Sequence, residues 1–139
     1  MDEQILKQVF ERDRFAKHVG IELMEASTGR ARARLEIGPQ HLNAVDVVHG
    51  GAIFALADLV FAVASNSHGQ VALGINVAVS YLKAAKAGVL IASAEEESVN
   101  SRLATYSIRV TDRDGNLIAL MQGTVYRKND KVEDLFQSP

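Results

Sequence analysis

Asp58 and the run His49-Gly50-Gly51 are the residues whose types and spacing could do chemistry. Asp58 falls among Ile53, Phe54, Leu56, Ala57, Val60 and Phe61. At helical spacing, positions 54, 58 and 61 share one face, which sets the carboxyl between two phenylalanines. A lone carboxylate in apolar surroundings is costly unless it is paired or used. Burial would raise its pKa toward the range of a general base. The other reading is a structural Asp bonded to a loop amide. Two glycines at a helix start let a ligand approach the backbone closely. The first amides of a helix have no partner within it and carry the positive end of its dipole, so they can hold the oxyanion of a tetrahedral intermediate. The same glycines could instead serve only close helix packing. Gly50 precedes Asp58 by eight residues, or about 12 Å along a helix axis. Asp58 therefore cannot easily serve a carbonyl held at its own helix start. If both groups act together, the site is shared between two subunits whose helices pack antiparallel.

Other chemistries find little support. His18, His41, His49 and His68 show no metal-ligand spacing, so no metal is expected. Gly50-Gly51 lacks the Lys-Ser/Thr ending of a phosphate loop, and no Gly-x-Ser-x-Gly elbow exists. With no cysteine there is no thiolate catalysis or disulfide, and a reducing cytoplasm is the expected compartment. A net charge of −2 and the lack of tryptophan argue against nucleic acid as a partner. The ladder Arg30, Arg32, Arg34 reads as the wet face of a strand. Residues 50–67 carry one ionisable group, but the stretch is short, rich in small residues and without basic flanks. It reads as a buried central helix and not as a membrane span. The charged start Met1-Asp2-Glu3-Gln4 does not resemble a signal peptide.

The elements that must position these residues follow from periodicity. The 139 residues, 47% hydrophobic and 23% charged, predict one soluble domain over 1–139. An amphipathic helix is expected over 2–17, a short strand over 21–25 and a half-buried strand over 30–37. A loop over 39–49 leads into the central helix, roughly 51–66. Strands over 71–83, 89–98, 102–112 and 117–127 read as a meander, with Asp114-Gly115 as a hairpin signal. The tail, about 128–139, is polar and expected to fray. This is an α+β layout. The helix is apolar nearly all round, so a curved sheet must cover one side and a second subunit the rest.

Leu42-Asn43, His49-Gly50-Gly51, the run from Ile53 to Asp58, Phe61-Ala62 and Ala64-Ser65-Asn66-Ser67 together resemble the phenylacetic-acid-degradation (PaaI-type) thioesterases of the hotdog fold. Phe15-Ala16, Gly20-Ile21-Glu22-Leu23 and Gly29-Arg30-Ala31 extend the resemblance to about residues 10–127. It implies a long central helix wrapped by a curved antiparallel sheet of five to six strands. It implies hydrolysis of acyl-coenzyme A thioesters by a homodimer, with dimers often pairing into a homotetramer. Asp58 matches the catalytic carboxylate, and Gly50 the residue whose amide polarises the thioester carbonyl. His49 and Asn43 match positions that orient the loop and the attacking group. Asn76 stands where relatives often carry Ser or Thr. Lys83, Lys86 and Arg102 are candidates for the phosphates of the coenzyme. Gly51, Phe54, Phe61, Leu56 and strand residues near Val79 and Tyr81 are expected around an aryl-acetyl or medium-chain acyl group. No cofactor is expected, since coenzyme A enters as part of the substrate. Two alternatives share the fold: a non-catalytic acyl-coenzyme A sensor, and a hydroxyacyl dehydratase, whose chemistry resembles a His with an acid on the helix, where this helix has no His.

Overall fold

The computed structural model of the chain describes residues 1–136. Two short helices, α1 (Glu3–Phe10) and α2 (Arg14–Val19), precede strands β1 (Ile21–Ser27) and β2 (Arg30–Glu36). The long helix α3 (Gly50–Asn66) follows, then β3 (Gln70–Tyr81), β4 (Val89–Val99), β5 (Leu103–Thr111) and β6 (Leu117–Lys131). All six strands form one antiparallel sheet in the order β1-β2-β4-β5-β6-β3. The sheet wraps α3, the arrangement expected of a hotdog fold.

Three expectations need correction. The single helix over 2–17 is two helices. Asp13 Oδ1 accepts from the Ala16 amide at 3.0 Å and starts α2 afresh, because an Asp side chain offers the backbone a cap in place of another helical turn. The last four strands are not one meander. Only β4-β5-β6 is, while β3 lies on the outer edge, with Tyr81 opposite Ala119 of β6. Residues 82–88 then cross back to lay β4 beside β2. Val48 donates to Ala85 O and Ile37 to Gly88 O, which pins this crossover beneath the start of α3. The chain after Arg127 is also ordered further than its polarity suggests. β6 runs on to pair Lys131 with Gln70, and Val132 is fully buried with its amide on Gly69 O at 2.8 Å. A 3-10 turn, Val132–Phe136, completes the described chain, and the last three residues of the expected tail lie outside it.

The core lies between α3 and the inner sheet face. Leu35, Leu56, Val60, Val63, Leu90, Tyr106 and Ile108 are all fully buried. The arginine ladder lies outside it. Arg30, Arg32 and Arg34 reach Glu95, Glu25 and Glu22 at 2.8, 3.3 and 3.6 Å. These exposed cross-strand pairs contribute little individually, and they account for the ladder as a solvated face. No described helix is long and apolar enough to cross a membrane.

Candidate active site

The start of α3 resolves which amide is available for chemistry. His49 is the N-cap, and its Nδ1 accepts from the Gly51 amide at 2.8 Å. The Ala52 and Ile53 amides both donate to His49 O, at 2.9 and 3.2 Å. Three of the four first-turn amides are therefore taken. Among the described residues no acceptor engages the fourth, that of Gly50. This sits at the positive end of a 17-residue helix, where an anion is stabilised. Accepting at Nδ1 fixes His49 as the tautomer with its proton on Nε2 when neutral.

Close approach explains the glycines. A Cβ on Gly51 would lie 2.9 Å from His49 Nδ1 and would push the ring off its cap. A Cβ on Gly50 would press Tyr81 Cζ at 3.2 Å. The Tyr81 hydroxyl donates to Gly50 O at 3.1 Å and ties the end of β3 to the start of α3. Sequence reasoning placed Tyr81 only as an acyl neighbour. Its hydroxyl contact depends on β3 taking the outer edge, which spacing does not show. Asn43 organises the preceding loop, with Oδ1 accepting from the Val45 and Val47 amides at 3.0 and 3.2 Å. The loop turns at Asp46, whose φ of 61° is left-handed.

Along α3, Gly51 and Asp58 are exposed and Phe54 and Ala62 half-buried, forming one stripe left open by the sheet. Phe61 is not on it. Its ring is buried, wedged against Gly74 and Gly123, where added Cβ atoms would lie 3.0 and 2.6 Å from ring carbons. It also meets Tyr106 edge-on, with centroids 6.0 Å apart. The expected pair of phenylalanines around Asp58 is thus corrected to Phe54 alone. The inner glycines on β3 and β6 leave room for the Phe61 ring to turn inward. Leu56 is likewise a core residue.

Solvent reaches Asp58, yet partial burial strips some of its hydration. That loss, and then the like charge of Asp13, raise its pKa above the ordinary 3.8. A carboxylate raised in this way is a stronger base than an exposed one.

The remaining candidates are placed unevenly. Lys83 lines a cavity of about 250 Å³ with Gly50, Ile53 and Tyr81. Lys86 is exposed on the crossover. Arg102 lies toward the other end of the sheet, beside Leu103, which faces Tyr126, whereas Tyr81 faces Ala119. Seven residues of β6 separate those positions, roughly 23 Å. One chain does not bring Arg102 to Lys83. Asn76 is exposed on β3. Alternation with Val77 and Val79, which pack on the core, turns it to the outer face. A cavity of about 600 Å³ on that outer face is lined by residues such as Arg30, Arg32, Glu95 and Arg109, and by none of the candidate site residues.

A second polar cluster escaped sequence reasoning. His68 Nε2 and the Tyr106 hydroxyl both reach Glu96 Oε1 at 2.6 Å, joining the end of α3 to β4 and β5. Only the fold brings these three together. Burial pushes Glu96 up, but the Tyr106 and His68 bonds and the charges of His68 and Arg127 outweigh it and hold the carboxyl low. Among the described residues, no group of three or more His, Cys, Asp or Glu is placed to hold a metal ion.

This geometry has relatives. A profile of the thioesterase superfamily matches residues 46–119. A putative esterase of Archaeoglobus fulgidus is 42% identical over 131 residues, covering 94% of this chain and 85% of that protein. The acyl-coenzyme A thioesterase PaaI of Escherichia coli is 31% identical over 120 residues, covering 86% of each. The solved structure of the Escherichia coli PaaI protein superposes with a TM-score of 0.88 at 29% identity, covering 92% of this chain and 94% of that one. The chain belongs to the thioesterase superfamily and has the hotdog fold.

Proposed function

We propose that this enzyme hydrolyses acyl-coenzyme A thioesters, of aryl-acetyl or medium-chain acyl type, at a site shared by two copies of the chain. The carrying observation is the Gly50 amide, the one first-turn donor of α3 without a partner among the described residues. The thioester carbonyl of the substrate accepts from it. Asp58 of the other copy acts on the carbonyl carbon, either by taking a proton from water or by direct attack. In the water route a C–O bond forms and the oxyanion rests on Gly50. Collapse breaks the C–S bond, and the proton held by Asp58 passes to the leaving thiolate, giving free acid and coenzyme A. Coenzyme A is part of the substrate, not a cofactor. His49 and Asn43 hold the loop and the helix start, while Phe54 beside Asp58 offers an apolar surface to the acyl group. Lys83 and Lys86 supply positive charge for the coenzyme's phosphates.

The need for two copies rests on distance and on an open edge. Gly50 and Asp58 lie about 12 Å apart along α3. β3 presents a twelve-residue edge with Leu73 56% and Ile75 60% exposed, a surface that invites another strand. Pairing β3 with a second β3 would also bring the open stripes of two α3 helices together, in a homodimer that can pair further into a homotetramer. The lack of cysteine fits a reducing compartment such as the cytoplasm.

Mixing two inactive variants tests the shared site. Gly50→Pro removes the amide, and Asp58→Ala removes the carboxylate. Each hybrid dimer then holds one complete site, so an equal mixture should regain about a quarter of wild-type activity. No recovery in a mixture shown to exchange subunits would contradict a shared site.

A further inference from the structure

We infer that a second copy completes the coenzyme site: Lys83 of one copy and Arg102 and Arg127 of the other form one cationic patch for the phosphates of coenzyme A. The inference rests on the proposal that Asp58 of one copy serves the Gly50 of the other. Tyr81 sits against Gly50, and Gly74 against Phe61. Phe54, midway between Gly50 and Asp58, therefore lies over β3 near Ala78. A two-fold axis that carries Asp58 to the other copy's Gly50 passes close to this point. Antiparallel β3 strands paired about it bring level the residues equally far from Ala78. Lys83 of one copy, five residues after Ala78, comes level with Leu73 of the other, five before it.

Leu73 faces Tyr126 of β6, and Tyr126 faces Leu103 of β5. Arg127 and Arg102 are the next residues along, joined where the Arg127 amide donates to Arg102 O at 2.7 Å. Arg127 alternates onto the inner face with Gly123 and Val125, the face that carries α3 and Tyr81. Lys83 and Arg102, roughly 23 Å apart along one chain, are thus brought to within three strand spacings, about 14 Å, across two copies. Arg102 is exposed and Arg127 half-buried. Arg102 donates to Asn129 Oδ1 at 3.3 Å and Arg127 to Asn100 O, and a guanidinium has five donors to give. Among the described residues no carboxylate comes within ion-pair distance of Lys83, Arg102 or Arg127. Asp112 carries its charge near Lys83 and Glu96 near Arg127, but Asp112 is bonded to Asn116, and Glu96 to His68 and Tyr106. Lys128, at the same end of β6, is paired with Asp130. Lys83 shares a cavity with Gly50, so a coenzyme whose thioester sits on that amide leaves the site past this patch. Coenzyme A carries a diphosphate and a separate ribose phosphate, which a patch of this width can hold apart.

Hybrid dimers test the patch and tell which copy supplies it. In a mixture of Gly50→Pro and Asp58→Ala chains, the complete site takes Gly50 and Lys83 from the Asp58→Ala chain. It takes Asp58, Arg102 and Arg127 from the Gly50→Pro chain. Arg102→Gln, alone and with Arg127→Gln, is built into either chain; Arg102 is exposed, so its substitution spares the core. KM is measured for an acyl-coenzyme A ester and for the matching acyl-pantetheine thioester, which has no phosphate. We expect KM for the coenzyme ester to be about 3–10-fold higher with the substitutions on the Gly50→Pro chain than on the Asp58→Ala chain. Lys83→Gln should give the reverse order, and KM for the pantetheine ester should be the same in both placements. An equal KM for the coenzyme ester in both placements, or a rise that the pantetheine ester shares, would overturn the patch and leave the shared site standing. A mixture that exchanges subunits and yet stays inactive would overturn the shared site itself, and the patch with it.

Discussion

Gly50→Pro isolates one hydrogen-bond donor with little else disturbed. Gly50 is the first helical residue of α3, the position where proline is best tolerated, since its missing N–H has no helical partner there. The preceding residue must be extended before a proline, and His49 already is, at φ −60° and ψ 135°. The cap to Gly51 and both bonds to His49 O are untouched. The added Cβ meets the Tyr81 ring at 3.2 Å, but that ring is half exposed and can shift. Gly50→Ala brings the same Cβ and keeps the N–H, so it is the reference. Losing an oxyanion donor costs about 10²–10³ in kcat, or roughly 2.7–4 kcal/mol of barrier. The assay is free-thiol release from an acyl-coenzyme A ester, with kcat and KM separated, beside thermal unfolding. We expect Gly50→Pro to fall by that factor in kcat relative to Gly50→Ala while melting within a few degrees of it. A folded Gly50→Pro enzyme that turns over as fast as Gly50→Ala would refute the assignment of this amide.

Three further outcomes follow from the same structure. Asp58 has a folded pKa above its unfolded value, so its charged form opposes folding, fully so above the folded pKa and not at all below about 3.8. Asp58→Asn should therefore melt higher than wild type at neutral pH, with the gap closing as pH falls through the raised value; equal melting at neutral pH would contradict the shift. Gly123→Ala drives a methyl into the Phe61 ring and should cost about 1–3 kcal/mol, or roughly 3–10 °C in melting temperature. Pairing it with Phe61→Leu should recover part of the loss, and strict additivity would show that the two do not touch. Ile75→Lys puts a charge on the β3 edge. Light scattering should then find monomers without hydrolytic activity, and an active monomer would remove the need for a second copy.

Much of the fold was legible because it is written in local period. The alternation of Arg30, Arg32 and Arg34 marks a strand, and the apolar run after Gly50-Gly51 marks a central helix. Strand order was not legible, since β3 reads the same whether it pairs with β4 or with β6. The break at Asp13 carried a usable signal, a capping residue three positions before the buried Ala16, but the helical period masked it. Within the candidate site, spacing singled out Gly50 and Asp58 and set the distance between them along the helix. It mistook Phe61 for a partner of Asp58, because a three-residue step reaches either side of a helical stripe and packing decides which. The coupling to Asp13 and the His68-Glu96-Tyr106 cluster join segments remote in sequence, where no spacing rule applies. Arg102 and Lys83 read alike as surface cations, and only the sheet register separates them.

The central claim is hydrolysis of an acyl-coenzyme A thioester through Asp58. A small panel of aryl-acetyl and acyl-coenzyme A esters, assayed by free-thiol release with wild type and Asp58→Ala side by side, tests it most directly. The account predicts turnover of at least one ester by wild type and a loss of about 10²-fold or more in Asp58→Ala, the size expected for a missing base. Undiminished turnover in Asp58→Ala, or tight binding of every ester with no thiol released by wild type, would contradict it.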